Sequence, residues 1–145
     1  YLRKRDVPLL IYQGRLNILD RAPEQEGILN YCADHGIGFI SFSPLAQGLL
    51  TSRYLNGIPA DSRMSQHNSL GQSVLTPELL QYLKDLNAIA VQQKESLADL
   101  ALSWILAQHG VTSVLIGASS TEQLKDNLRC VHAPSLEGVQ IPEFK

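Results

Sequence analysis

Gly38-Phe39-Ile40-Ser41-Phe42-Ser43-Pro44-Leu45-Ala46-Gln47-Gly48-Leu49-Leu50 decides how this chain reads. A run of β-formers stops at small and hydroxyl residues, the pattern of a strand entering a turn. The same pattern returns at Val114-Leu115-Ile116-Gly117-Ala118-Ser119-Ser120-Thr121-Glu122-Gln123-Leu124-Lys125-Asp126-Asn127. There the turn opens directly into a helix. A junction of this kind aims free backbone N–H groups and the positive helix end at an anion. Two such strand ends predict a nucleotide cofactor laid across neighbouring strands.

Outward from these stretches, the chain alternates strands and helices. Arg3-Lys4-Arg5 reads as the last turn of an opening helix, broken at Pro8. Leu9-Leu10-Ile11-Tyr12 is a continuous apolar run, as expected of a strand buried on both faces of a parallel sheet. Pro23 starts a helix with Glu24 and Glu26 in its first turn. Ile28, Leu29 and Cys32 form its apolar stripe, and Gly36 is placed for a left-handed cap. Strand, helix and strand fit within about 30 residues, the size of a βαβ unit. Thr51 to Ser73 has no clear period and reads as a long loop. Thr76 caps a helix with Pro77 at its first position and Leu79, Leu83, Leu86 and Ala90 on one face. Ser96 caps another, carrying Leu97, Leu100, Ala101, Trp104 and Ile105 and closing near Gly110, and Trp104 reads as core. Val111 to Ile116 is the third strand, and Ser120 with Gln123 is spaced as a capping box. Three parallel-type strands alternating with helices make an α/β arrangement.

Composition narrows the function. The chain has 145 residues, 44% hydrophobic and 18% charged, with a formal net charge of −2. One domain with a real core is expected, and no electrostatic reason points to nucleic acid or an anionic membrane. Cys32 and Cys130 stand in no metal-ligating pattern and read as buried thiols of a reducing cytosol, so the expected location is cytoplasmic. No apolar run approaches the ~20 residues that span a bilayer. His35, His67, His109 and His132 fall at helix ends, loop or tail and read as surface residues. The first residues lack Met and begin as if inside a helix, so a piece of a longer protein is expected.

Five segments then fall into register: Gln13…Asn17…Arg21; Ser43 to Gly48; Gly57-Ile58-Pro59 with Ser62-Arg63; Ala101-Leu102-Ser103-Trp104; and Ser113 to Ser119 with Glu122-Gln123 and Asn127. In order and spacing they resemble the aldo-keto reductases over about residues 1–129, leaving 130–145 as an irregular tail. Within that family the bacterial glyceraldehyde-3-phosphate reductases and the potassium-channel β subunits look most similar. The resemblance implies a (β/α)8 TIM barrel that binds NADP(H) in an extended pose. Such barrels need about 250 residues, so this chain resembles the C-terminal portion, about strands 6–8 and their helices.

The resemblance also assigns roles. Gln13 would hydrogen-bond the nicotinamide carboxamide, since an amide offers both donor and acceptor. Phe42 would stack on the nicotinamide. Ser43, Pro44, Leu45, Ala46 and Gly48 would hold the pyrophosphate. Arg53 and Arg63 would meet phosphates, Arg63 through a guanidinium able to fork and stack. Gly117, Ser119, Gln123, Asp126 and Asn127 would complete the adenosine end, with Ser119 toward the 2′-phosphate and Asn127 toward the adenine edge. Gly117 and Gln123 depart from better-known members, which carry a lysine and an arginine there. Leu16 stands where an aromatic residue is usual, and the tail after Arg129 is unlike the family's closing helix. The family's Asp, Tyr, Lys and His tetrad, with Tyr as general acid, finds no matching position here, so no catalytic residue is expected in this chain. The implied activity is reduction of aldehydes, such as glyceraldehyde 3-phosphate or methylglyoxal-like compounds. A complementing N-terminal half-barrel chain would supply the acid. A non-catalytic cofactor-sensing subunit and an inactive truncated relic stay open as other readings.

Overall fold

The structure, a computed structural model, describes residues 2–59, 74–133, 136 and 138–144. Three strands, β1 (Ile11–Arg15), β2 (Gly38–Phe42) and β3 (Val111–Val114), form one parallel sheet in the order β1-β2-β3. Among the described residues five α-helices accompany them: α1 (Ala22–Gln25), α2 (Ile28–Asp34), α3 (Pro77–Gln92), α4 (Leu97–Leu106) and α5 (Thr121–Leu128).

Caps fix most of these boundaries. Thr76 accepts from the Leu79 amide at the start of α3. Ser96 and Asp99 form a reciprocal capping box at α4. Gly36 takes the left-handed conformation that ends α2, with φ 64°. The expected single helix from Pro23 is two, because Gly27 at φ 74° breaks it. Among the described residues, Arg3–Arg5 is one 3-10 turn.

The core lies between the sheet and the helices. Leu79, Leu83, Leu86 and Ala90 of α3 and Leu97, Leu100, Ala101, Trp104 and Ile105 of α4 are all buried there, on the faces that the helical period selects. Phe39 is fully buried, and its ring lies so close to Gly14 that a Cβ there would come within 2.9 Å of it. Glycine at position 14 is therefore a packing requirement, letting the Phe39 and Tyr12 rings meet at 5.7 Å.

The first strand differs from expectation in two ways. It begins two residues later and runs on to Arg15, so Gln13 is its middle residue. It is also exposed: Leu10, Ile11 and Tyr12 stand open to solvent. The cause is position. β1 is an edge strand: Tyr12 lies on the covered face with Gly14 and Phe39 but at its open margin, and Ile11 lies on the uncovered face. The third strand stops at Val114, short of Ile116.

The described residues after α5 dock on the body of the protein. A 3-10 turn covers Arg129–His132. Farther on, the Arg21 guanidinium donates to the carbonyls of Ile141 and Pro142 at 3.1 and 3.0 Å while lying 4.6 Å over the Trp104 ring. The Tyr82 hydroxyl donates to the Pro142 carbonyl at 2.6 Å, and Phe144 packs on the Tyr82 ring. Burial holds the Tyr82 hydroxyl above its ordinary pKa, so it stays the donor.

Candidate functional site

Strand alternation decides which side chains share a face. Gln13 and Arg15 of β1 stand opposite Ile40 and Phe42 of β2, so these four residues share the uncovered face of the sheet. Gln13 is exposed and Phe42 half-buried. Arg15 was not singled out in the sequence. Its guanidinium lies 5.8 Å from the centre of the Phe42 ring and 3.8 Å from the Asp20 carboxylate. A ring stacking on that side of Phe42 would displace it.

The chain leaves β2 through a turn with unusual backbone. Ser43, Ala46 and Gln47 have φ of 55°, 46° and 58°, and Gly48 has 98°. Three non-glycine residues in the left-handed region cost about 1–2 kcal/mol each. The surroundings compensate. Pro44, Leu49 and Leu50 are buried, and Tyr54, from the 3-10 turn Ser52–Tyr54, is buried beside Gly48. The amides of Ala46, Gly48, Leu49 and Leu50 bond back within the turn. Leu45 and Ala46 are half-buried. A turn conformation of this kind can form a concavity for an anion, through N–H groups other than those four amides.

The second strand end is built otherwise. Every residue from Gly117 to Asp126 is exposed. Ser120 caps α5 by accepting from the Gln123 amide at 3.1 Å. The expected capping box is only half made: the Gln123 side chain turns to Ser119 and accepts from its amide and hydroxyl at 2.7 and 2.9 Å. The Ser119 hydroxyl is thus engaged within its own loop. Asn127 is buried, and its side-chain Nδ2 has no partner among the described residues. A buried donor left so costs about 1–3 kcal/mol, which an arriving acceptor would recover. A ring nitrogen of a purine is an acceptor of that kind, so the residue type fits an adenine edge.

Arg53 is exposed in the Ser52–Tyr54 turn. Arg63 and His67 lie outside the described residues. His35, His109 and His132 are exposed. Cys32 is buried and Cys130 only half-buried; both are free thiols that burial pushes up in pKa, which leaves neither activated as a nucleophile. Among the described residues no group of three His, Cys, Asp or Glu side chains could hold a metal ion, and no helix is long and apolar enough to cross a membrane.

Sequence reading gave Asn17 and Tyr54 no role, yet they shape the site. Tyr54 hid in a polar loop without period. Asn17, 2% exposed, uses its whole amide group: Nδ2 donates to the Ser43 carbonyl at 3.0 Å, and Oδ1 accepts from the Leu19 and Asp20 amides. A groove of about 400 Å³ beside β1, lined by Leu9, Tyr12, Ile28, Tyr31 and their neighbours, includes none of the strand-end residues.

Comparison with known proteins matches this architecture to a family. The family model described as "Aldo/keto reductase family" matches residues 1–144, so it runs through the tail as well. L-glyceraldehyde 3-phosphate reductase of Escherichia coli K12 is 47% identical over 135 residues, covering 90% of this chain and 39% of that protein. A probable voltage-gated potassium channel subunit beta of Arabidopsis thaliana is 34% identical over 125 residues, covering 84% of this chain and 38% of that protein. The crystal structure of a thermostable aldo-keto reductase with the inhibitor epalrestat superposes with a TM-score of 0.65 at 23% identity. It covers 94% of this chain and 39% of that one, a likeness of fold. The chain therefore spans about two fifths of the length of the relatives it matches. On a match to the family model over residues 1–144, this chain belongs to the aldo/keto reductase family.

Proposed function

We propose that this chain supplies the NADP(H)-binding portion of an aldehyde reductase, and that residues 1–129 correspond to about strands 6–8 of its barrel. The observation that carries the reading is the left-handed turn Ser43–Gly48, which follows Phe42 directly at the end of the uncovered sheet face that also carries Gln13. When bound, the reduced nicotinamide supplies a hydride to the carbonyl carbon. The residues of this chain bind and orient. Gln13 offers its amide to the carboxamide, and Phe42 offers a flat apolar surface once Arg15 moves aside. The Ser43–Gly48 turn, with Pro44, Leu45 and Ala46, receives the pyrophosphate. Arg53 and Arg63 add positive charge. Gly117, Ser119, Gln123, Asp126 and Asn127 form the adenosine end, where Ser119 would exchange its bond to Gln123 for one to the 2′-phosphate.

The proton for the carbonyl oxygen comes, in this reading, from a tyrosine outside the chain. The exposed edge of β1 and the apolar groove beside it support further strand and helix units packed there, whether in the same polypeptide or in a complementing half-barrel. Identity to a glyceraldehyde 3-phosphate reductase makes phosphorylated small aldehydes the first substrates to try.

Ligand binding to the native state raises stability by about 2.7 kcal/mol at a hundredfold excess over Kd. NADPH is therefore expected to raise the melting temperature of the chain, and more than NADH does. No rise with either dinucleotide would overturn the cofactor assignment. Turnover of glyceraldehyde 3-phosphate by the isolated chain at the rate of a full-length reductase would overturn the assignment of the proton donor.

A further inference from the structure

The sheet ladder between β1 and β2 ends at the pair Arg15 and Phe42. Just beyond it the two chains stay joined by side chains. The Ser41 hydroxyl, fully buried, donates to the Leu16 carbonyl at 2.8 Å. One residue on, Asn17 donates to the Ser43 carbonyl at 3.0 Å, where the backbone first turns left-handed. Asn17 is itself fixed. Its backbone exchanges two hydrogen bonds with Asp20, and its Oδ1 accepts from two amides of the same turn. The Ser43 carbonyl also accepts from the Ala46 amide, so the bond from Asn17 reaches the first link of the turn's own network.

We infer that Asn17 is a positioning residue for the anion-receiving turn, holding Ser43–Gly48 in its left-handed form through the Ser43 carbonyl. Three non-glycine residues in that region persist only where surrounding contacts over-determine them. The apolar contacts of Leu49 and Leu50 act at the far end of the turn, and Asn17 acts at the near end. The inference rests on the reading of this turn as the pyrophosphate site only for its consequence in binding; the strap itself does not depend on it.

Asn17→Asp tests the strap directly. The carboxylate keeps an acceptor for the Leu19 and Asp20 amides, loses the donor, and places negative charge against the Ser43 carbonyl. Hydrogen exchange should quicken about tenfold at the Ala46, Gly48, Leu49 and Leu50 amides, while Leu19 and Asp20 keep their protection. Adding Ser43→Gly, which removes the penalty for a positive φ, should restore part of the lost protection. Asn17→Ser, too short to reach Ser43, serves if the aspartate variant does not fold. Unchanged exchange at Ala46–Leu50 overturns the strap. For binding, Asn17→Asp should weaken NADP+ about tenfold and leave 2′-AMP, which lacks the pyrophosphate, unaffected. Equal weakening of both ligands overturns the positioning role. If the unsubstituted chain binds neither ligand, the pyrophosphate reading fails, and the exchange measurement still decides the strap.

Discussion

The two strand ends share a sequence signal but not a construction. At the end of β2, three non-glycine residues are held left-handed between buried Leu49 and Leu50 and the strap from Asn17. At the end of β3, the residues from Gly117 to Asp126 are exposed, and order comes from Ser119, Ser120 and Gln123 bonding to one another. The first turn is shaped by the rest of the protein, and the second by its own helix cap. A site whose shape is held by tertiary contacts is preorganised before a ligand arrives, and an exposed one is ordered on binding. The two halves of the proposed cofactor site should therefore respond differently to substitution.

The largest difference is expected at Leu50. Its side chain is fully buried in the main core cluster, and truncating a buried leucine costs about 2–5 kcal/mol. Leu50→Ala should lower the denaturation midpoint of the whole domain, read by urea unfolding. The matched substitution at the other strand end, Leu124→Ala, removes a side chain 41% exposed and should cost far less. Equal losses at the two positions would remove the contrast.

Gly48→Ala comes next. Space is available, since a Cβ there would lie 3.6 Å from the Tyr54 ring in ordinary contact. The φ of 98° is the obstacle, at about 1–2 kcal/mol for an L residue. A cost near zero in thermal unfolding would mean that the turn is softer than its buried flanks imply.

Sequence made much of this legible, and the limits are instructive. Local chemistry read well: Thr76, Ser96, Ser120 and Gly36 cap helices where their types predict, and the faces of α3 and α4 follow from the 3.6-residue period. β2 lies within its run of β-formers because glycine before it and Ser43-Pro44 after it are turn formers. β1 was misplaced because an apolar run says that a surface wants a partner without saying which residues pair. Its true register is set by the ladder to β2. Asn17 stood inside a recognised motif, but its partner Ser43 is 26 residues away, and nothing local in either residue announces the bond. The half-made capping box shows the same limit: the Ser120 and Gln123 spacing permits two arrangements, and Ser119 takes the glutamine.

Ser120→Ala probes the second strand end alone. Loss of an N-cap side chain costs about 1 kcal/mol. Because the first residues of α5 are exposed, exchange should quicken at the Gln123 and Leu124 amides while the core amides of α3 and α4 keep their rates. A global loss of protection would show that the second strand end is tied to the core as firmly as the first.

The smallest effect tests where the second region rests. The turn Arg129–His132 that follows α5 packs on α4, whose first residues stand beside Glu95. Both carboxylate oxygens of Glu95 are buried without a partner among the described residues. Burial, with help from the negative charge of Asp99, holds the Glu95 pKa above its ordinary value. The neighbouring Cys130 thiol is itself pushed up by burial and by Asp99 and Glu95, so it stays neutral through this range. The folded chain then binds a proton that the unfolded chain has released. This contribution to stability is fully present below the unfolded glutamate pKa of about 4.3 and is lost as pH rises through the higher folded value. Glu95→Gln removes that titration. The variant should melt slightly higher than the parent at pH 7, by less than the loss from Ser120→Ala, and the gain should vanish near pH 4. A lower melting temperature at pH 7 would mean that Glu95 has a favourable charged partner in the folded protein.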